Sequence, residues 1–182
     1  MNSHQVNSIE GIKVFSSAQF SDFRGRFKKF QPLEILDGSL DTVAVSHNPT
    51  MGTIRGLHFQ IEPFAEKKII TCLQGTIFDV AVDLRIESQT FGKWMAVQLD
   101  SEKGDQIFLP KGIAHGFQTL EPNSIVHYSI SSKYSEQAAI TINPFGDLRI
   151  DWPLPHTLVS ERDLNGLTLE LASSRYSESL IK

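Results

Sequence analysis

The chain has 182 residues, a formal net charge of −4 and 40% apolar residues, values typical of a folded globular protein rather than a disordered or fibrous one. The negative charge argues against broad binding to nucleic acid or to anionic membranes. Cys72 is the only cysteine, which excludes an internal disulfide and favours a reducing compartment.

Targeting signals are absent from the sequence pattern. No apolar run approaches the ~18 residues of a membrane span, and the first residues lack the apolar stretch of a signal peptide. No repeat or low-complexity linker divides the chain. We therefore expect a cytoplasmic protein with a single domain over residues 1–182.

Short strands dominate the predicted secondary structure. Phe78, Val80 and Val82 alternate with more polar or smaller residues, which is the period of two expected of a strand. Helical periodicity is weak before Ser160–Leu171. Many short strands separated by turn residues favour a sandwich or barrel. The predicted strands, in chain order, are Ile69–Leu73, Thr76–Leu84, Trp94–Leu99, Gln106–Leu109 and Ile125–Ile130.

One spacing motif specifies the kind of barrel. Gly104, Pro110, Gly112 and His115 follow the pattern G-x5-P-x-G-x2-H, which resembles the second conserved motif of the cupins. Pro and Gly set a tight turn, and the strand after it should point His115 into the barrel. A lone histidine is more often a packed core residue, but the full pattern favours a pocket residue. We predict an all-β cupin jelly roll, a β-sandwich or barrel with short C-terminal helices.

The first cupin motif departs from its metal-binding form. His58 is followed by Gln60 instead of a second histidine, and Lys68 stands where the motif has its glutamate. An ammonium has no lone pair for a metal, and a carboxamide is a poor substitute for imidazole. We predict no metal, which disfavours a metal-dependent cupin dioxygenase.

A wider resemblance covers about Phe20 to Pro153. The chain resembles the dTDP-4-dehydrorhamnose 3,5-epimerases and related deoxysugar epimerases in the segments FSDFRGRF, GTIRGLHFQ, KKIITCLQGTIFDVAVDLR, TFGKW, FLPKGIAHGF and DLRIDWP. The resemblance implies a homodimeric isomerase without a cofactor. Its substrate would be a nucleotide-diphospho-4-keto-6-deoxyhexose, inverted at C3, C5 or both, for deoxysugars of the lipopolysaccharide O-antigen type.

The same resemblance implies roles for single residues. His58 matches the base that removes the proton beside the ketone, and Tyr128 matches the acid that returns one. Lys68 matches a residue at the reacting centre, where an ammonium in an apolar barrel stabilises the charge that develops on the carbonyl oxygen. An imidazole suits a general base at neutral pH.

Substrate binding is implied for a second set of residues. Arg24 and Arg55 would hold the diphosphate. Tyr134 would stack on the nucleotide base, and Phe20 and Lys29 would lie near that base. The other two residues would contact the sugar or line its pocket. These residues are Arg24, Lys29, Arg55, Gln60, His115, Tyr134 and Phe20.

One departure concerns the acid that orients the catalytic histidine in the family. Counting back without gaps from DLRIDWP places Phe145 at its position, with Asp147 or Asp83 as possible substitutes. A histidine without a carboxylate is less firmly oriented. This departure leaves a weakened enzyme and a non-catalytic sugar-nucleotide binding protein as alternatives. A cupin 3,4-ketoisomerase is a third alternative function.

Two further departures concern the nucleotide. Lys29 replaces a glutamate that contacts thymine in the family. A carboxylate accepts from the N3–H of thymine, whereas an ammonium can donate to N3 of cytosine, so we hypothesise a CDP-linked sugar. Val43 and Val45 stand where the family has Gln and Asn, which indicates altered nucleotide or sugar contacts.

Overall fold

The computed structural model describes residues 4–30 and 36–181 of the predicted domain 1–182. In these two ranges, twelve strands precede two C-terminal helices. The strands are β1 (Lys13–Ser16), β2 (Ala18–Asp22), β3 (Gly25–Lys29), β4 (Thr42–Asn48), β5 (Ile54–Gln60), β6 (Lys68–Gln74), β7 (Thr76–Asp83), β8 (Trp94–Asp100), β9 (Asp105–Leu109), β10 (Ile113–Thr119), β11 (Ser124–Ile130) and β12 (Ala139–Thr141). The helices are α1 (Glu161–Leu164) and α2 (Leu169–Ser179).

The strands form two five-stranded antiparallel sheets and a separate hairpin. The first sheet has the order β1-β9-β6-β11-β4, the second has the order β12-β5-β10-β7-β8, and β2 pairs only with β3. Apart from β7 and β8, neighbouring strands in each sheet do not follow one another in the chain, as expected of a jelly roll. The predicted all-β cupin fold is confirmed.

Strand β7 shows how the core is built. Its residues alternate between two apolar clusters, because successive side chains point to opposite faces of a strand. Ile77 and Ala81 belong to the cluster that includes residues of both sheets. Val80 and Val82 belong to the cluster covered by the C-terminal segment, which includes Tyr176 of α2. Both faces of β7 are therefore buried, which explains its high apolar content.

The C-terminal helical segment is divided. The predicted short C-terminal helices are present: helical periodicity was expected over Ser160–Leu171, and in the structure α1 ends before Gly166 and α2 continues to Ser179. Ser160 caps α1, since its side chain accepts a hydrogen bond from the Asp163 amide, as is typical of serine at this position. Within residues 4–30 and 36–181, neither helix has the length and apolar character needed to cross a membrane.

Candidate functional site

A cavity of about 450 Å³ is lined by residues of both sheets. This volume is within the range of small-molecule sites. Most of the residues predicted from the sequence meet there. Those that line the cavity are Arg55, His58, Gln60, Lys68, His115, Tyr128 and Tyr134.

Strand register brings the central side chains together. His58 on β5 lies directly opposite His115 on β10. In the other sheet, Tyr128 on β11 lies opposite Ile70, which shares its face of β6 with Lys68, two residues earlier. Two histidines of one sheet therefore share the cavity with a lysine and a tyrosine of the other.

A bulge in β5 adds Arg55 to the same face as His58. Arg55 pairs with Phe117 on β10, and His58 pairs with His115. The two pairs are three residues apart on β5 but only two residues apart on β10, so β5 contains one extra residue. Such an extra residue re-aims the side chains that follow it. Gly56 is required inside the bulge, because its φ is +116° and an added Cβ would lie 2.6 Å from the Gly116 Cα.

Asp163 orients the predicted base. Its Oδ1 lies 2.7 Å from His58 Nε2, and its Oδ2 accepts a hydrogen bond of 3.1 Å from the Gly56 amide. The Asp163 side chain is 5% exposed, whereas that of His58 is 44% exposed and reaches the cavity. The sequence left open which residue replaces the family's orienting acid and named Asp147 and Asp83 as substitutes. In the structure, Asp163 of helix α1 supplies this carboxylate.

Electrostatics keep Asp163 ionised. Burial raises the pKa of its carboxyl, but the hydrogen bond and charge of His58, the Gly56 amide and the Ser160 hydroxyl outweigh it, so the pKa lies below its ordinary value. An ionised carboxylate favours the Nε2–H tautomer of His58 and leaves Nδ1 free to accept a proton.

The positions considered for this carboxylate in the sequence serve other contacts. Phe145 stacks on His156 with ring centroids 4.7 Å apart. Asp147 accepts a hydrogen bond from the Leu169 amide at the start of α2. Asp83 binds Arg85 at 2.8 Å and accepts hydrogen bonds from two neighbouring hydroxyls.

Lys68 is fixed beside the base. Its Nζ donates to the backbone carbonyl of His58 at 3.1 Å and forms an ion pair of 2.8 Å with Glu66. The side chains of Lys68 and Glu66 are 10% and 5% exposed. No group of three His, Cys, Asp or Glu side chains in the described parts of the chain could hold a metal ion; the absence of a metal stays a prediction.

Tyr128 and His115 complete the floor of the cavity. Burial raises the pKa of the Tyr128 hydroxyl to about 12, although a hydrogen bond to Ser46 lowers it. The tyrosine therefore keeps its proton at neutral pH. His115 Nε2 lies 2.7 Å from Asp79 Oδ2, and burial raises the pKa of that carboxyl. The edge of the His115 ring contacts Tyr128 at a centroid distance of 6.3 Å.

The side-chain amide of Gln60 is bound by the protein backbone. Its Nε2 donates to the carbonyls of Phe64 and Lys133, and its Oε1 accepts a hydrogen bond of 2.6 Å from the Ser135 amide. Both amide N–H groups are thus used by the protein backbone. The side chain lines the cavity and holds two loops around it, and no N–H remains for the substrate.

Sequence reasoning missed Arg162, which also lines the cavity. Its guanidinium donates to Thr141 at 3.3 Å and to the Tyr134 hydroxyl at 3.4 Å. Together with Arg55 and Lys68 it gives the cavity three cations, against the single carboxylate of Glu66 among the described lining residues. The cavity therefore suits an anionic ligand, although the whole chain is negative.

Three predicted binding residues lie elsewhere. Phe20, Arg24 and Lys29 belong to the β2–β3 hairpin and do not line the cavity of their own chain. Arg24 pairs with Asp22 at 2.6 Å, and the Lys29 ammonium lies 5.7 Å from the centre of the Phe20 ring. A single copy of the chain does not bring these side chains to the base.

Comparisons with known proteins agree with this geometry. The family model described as dTDP-4-dehydrorhamnose 3,5-epimerase matches residues 6–170. A relative with that name from Sinorhizobium fredii is 38% identical over 87% of this chain and 85% of its own. The match with the solved structure of an epimerase from Mycobacterium tuberculosis covers 97% of this chain and 96% of that chain, with a TM-score of 0.86 and 32% identity.

A further similar structure is a 3′-monoepimerase from Streptomyces bikiniensis in complex with dTDP-quinovose. It has a TM-score of 0.83 and 32% identity, and the match covers 94% of this chain and 89% of that one. The matches extend over nearly the whole chain and include the strands that carry the cavity. The chain therefore belongs to the dTDP-4-dehydrorhamnose 3,5-epimerase family of isomerases.

Proposed function

We propose that the chain epimerises a nucleotide-diphospho-4-keto-6-deoxyhexose at C3, C5 or both by proton transfer, without a cofactor. One observation carries the proposal: His58 is paired with Asp163 at 2.7 Å in a cavity that Lys68 and Tyr128 also line. The names of the relatives supply the class of sugar. The contact with Asp163 removes the reason to expect a non-catalytic binding protein.

Proton removal is the first step. Nδ1 of His58 takes the proton from the carbon beside the ketone, and Asp163 stabilises the imidazolium that forms. The electron pair moves to the ketone oxygen and gives an enolate. The Lys68 ammonium stabilises that oxygen, and it does so more strongly in a water-poor cavity than in bulk water.

Proton return is the second step. Tyr128 donates its phenolic proton to the same carbon from the other side of the sugar, which inverts the centre. Support for delivery from the opposite side comes from the strands, because His58 and Tyr128 belong to different sheets. The raised pKa of the Tyr128 hydroxyl keeps the acid protonated before the reaction.

The diphosphate and base would bind at the mouth of the cavity. Arg55 and Arg162 offer two guanidinium groups, which suit phosphate oxygens. Tyr134 is exposed beside Arg162 and presents a ring on which a nucleotide base can stack. These contacts agree with the predicted roles of Arg55 and Tyr134.

We further propose a homodimer in which the β2–β3 hairpin of one copy completes the cavity of the other. The hairpin exposes several apolar rings, including Phe23 at 98% and Phe27 at 62%, and such exposed patches mark interaction sites. It also carries Phe20, Arg24 and Lys29, which a single chain leaves away from the base.

Mixing two inactive variants tests this dimer. Arg24→Ala should damage only the hairpin, and His58→Asn only the cavity, so a mixed dimer regains one intact site. Activity should reappear when the two variants are unfolded and refolded together. Light scattering that finds a monomer, or mixtures that stay inactive, would contradict the proposal.

The nucleotide is proposed to be CDP because of Lys29. An ammonium can donate to N3 of cytosine, whereas thymine presents a donor at N3. The relatives are named for dTDP-linked sugars, so calorimetry with CDP and dTDP is the direct test. Lys29→Glu should shift the preference towards dTDP. Tighter binding of dTDP by the unmodified protein would refute the proposal.

Deuterium exchange tests the reaction itself. A panel of CDP- and dTDP-linked 4-keto-6-deoxyhexoses is incubated in D₂O, and NMR locates the deuterium at C3 or C5. His58→Asn should lower exchange by about 10²–10⁴-fold, whereas the surface variant His156→Asn should exchange normally. A shifted carbonyl would indicate a 3,4-ketoisomerase, and binding without exchange would indicate a non-catalytic protein.

A further inference from the structure

Gln60 holds the loop that carries Tyr134. This loop spans residues 131–138, between β11 and β12. Nε2 of Gln60 donates to the Lys133 carbonyl at 3.1 Å, and its Oε1 accepts a hydrogen bond of 2.6 Å from the Ser135 amide. These two backbone groups lie on either side of Tyr134 in the chain. A single carboxamide therefore fixes the main chain directly before and directly after the tyrosine.

The hydrogen bonds of Gln60 are buried and use both N–H groups of the carboxamide. The residue is 7% exposed, and its second N–H donates to the Phe64 carbonyl at 3.0 Å. A side chain without these groups would deprive two carbonyls and one amide of this partner, and buried polar groups without a partner are costly. In such a variant we expect the loop to move until water binds its backbone.

Tyr134 presents its ring at the mouth of the cavity. The residue lines the cavity and is 63% exposed, and the Arg162 guanidinium donates to its hydroxyl at 3.4 Å. An exposed aromatic ring of this kind can stack on a nucleotide base. Because the ring follows its own backbone, the backbone contacts of Gln60 determine where that stacking surface lies.

These contacts are separate from those of the reacting centre. Gln60 lies two residues after His58 on β5, but the two side chains have different partners. The His58 ring contacts Asp163, and Lys68 donates to the His58 carbonyl. A change in the Gln60 carboxamide should therefore displace the loop and leave the proton-transfer groups in place.

We propose that Gln60 is a positioning residue for the nucleotide, which holds the Tyr134 ring where the base stacks. It acts through the backbone of residues 133–135 and not by contact with the ligand, because its own N–H groups are already used. The inference rests on the proposed function, since it takes Tyr134 as the residue that stacks on the base. A contact that is equally strong in the ground state and the transition state changes KM and not kcat.

A double-mutant cycle in nucleotide affinity tests whether Gln60 acts through Tyr134. Calorimetry with CDP and with dTDP gives the dissociation constants of Gln60→Met, Tyr134→Ala and the double variant. Each single variant should bind the preferred nucleotide about 5- to 150-fold more weakly, the range expected for the loss of one stacked base. The double variant should bind within about threefold of Tyr134→Ala.

Two results of the cycle would overturn the proposal. Fully additive losses would show that Gln60 supports the protein without acting through the ring. Unchanged affinity in Tyr134→Ala would show that the ring binds no base, and this result does not depend on the folding of any Gln60 variant, because the exposed tyrosine is the only residue changed.

Kinetics separate binding from chemistry. Deuterium exchange beside the ketone should show a raised KM for Gln60→Met and a kcat within about threefold of the unmodified protein. Gln137→Met is the matched control, because Gln137 is exposed in the same loop and does not line the cavity, and it should change neither constant. A lower kcat with unchanged KM in Gln60→Met would place its effect at the reacting centre and refute the proposal.

A second substitution covers a failure of Gln60→Met to fold, which chemical denaturation would reveal. Gln60→Glu keeps an acceptor for the Ser135 amide and loses both donors. It should also weaken nucleotide binding, and this loss should again disappear in the Tyr134→Ala background. Affinity equal to that of the unmodified protein would contradict the role of Gln60.

Failure of the proposed function has a different result. If the unmodified protein binds a nucleotide but exchanges no deuterium, the epimerase proposal fails and the cycle in affinity still decides the role of Gln60. If exchange is normal and the losses are additive, the epimerase proposal stands and only the role of Gln60 is lost. If neither CDP nor dTDP binds, both proposals fail.

Discussion

Replacing Asp163 with asparagine perturbs the orientation of the base with little change in size. An asparagine oxygen can still accept from the Gly56 amide, which now lies 3.1 Å from the carboxylate. Its amide group, however, can donate to His58 Nε2. The ring proton then moves to Nδ1, the nitrogen that must accept the proton of the sugar, and the base is blocked.

The expected loss is large because the contact is short and protected from water. The Asp163–His58 distance is 2.7 Å and the carboxylate is 5% exposed, so solvent screens the interaction weakly. Loss of an orienting carboxylate of this kind lowers kcat by about 10³–10⁴-fold. This corresponds to about 4–5 kcal/mol of transition-state stabilisation.

The assay combines exchange kinetics with binding. Proton NMR in D₂O gives the rate of exchange beside the ketone, and calorimetry gives the affinity for the free nucleoside diphosphate, which should not change. Asp147→Asn is the control, because Asp147 accepts hydrogen bonds from the Leu169 amide at the start of α2 and does not line the cavity. Turnover of Asp163→Asn within about threefold of the unmodified protein would refute the role of this carboxylate.

Three other predictions follow from the same contacts. Tyr128→Phe should still exchange deuterium through His58 but should invert the sugar at least about 10²-fold more slowly. NMR would detect this as substrate that is labelled but not inverted, and normal inversion would exclude Tyr128 as the acid. The pKa of Asp163 is lower in the folded protein than in the unfolded chain, so its carboxylate stabilises the fold above about pH 4. This contribution disappears as the pH falls through the folded-state pKa, and the unfolding free energies of the unmodified protein and Asp163→Asn should therefore converge in acid. A constant difference between the two free energies would contradict the lowered pKa. Gly116→Ala should destabilise the fold by about 1–3 kcal/mol in chemical denaturation, because its Cβ would lie 2.7 Å from the Arg55 carbonyl; unchanged stability would contradict that close approach.

The fold could be predicted where strands are apolar and bounded by turn residues. Strand β6 was predicted as Ile69–Leu73 and forms over Lys68–Gln74, because an apolar run between polar turns is a local signal. Strand β4 (Thr42–Asn48) was not predicted. Most of its side chains are exposed or half-buried, and it is held by pairing with β11, a contact that local periodicity does not reveal.

The site could be predicted where the sequence resembles segments of the family. His58, Lys68 and Tyr128 were identified from their sequence context, and the structure brings them to one cavity. Asp163 was missed because it lies 105 residues from His58 in the sequence, beyond the ungapped stretch used to locate it. The Ser160-x-x-Asp163 pattern predicts the start of a helix, but it does not predict which distant side chain the carboxylate meets.

Within the described residues, the β2–β3 hairpin is a sheet of its own and contacts the rest of the chain through side chains such as Arg26 with Glu102 and Lys28 with the Ser101 carbonyl. Lys29, the residue proposed to select the base, is carried on this hairpin, whereas the proton-transfer residues and Tyr134 line the cavity of the barrel. The two tasks can consequently diverge independently in evolution. Exchanging the hairpin between relatives is a route to a new base preference that leaves the chemistry of the sugar unchanged.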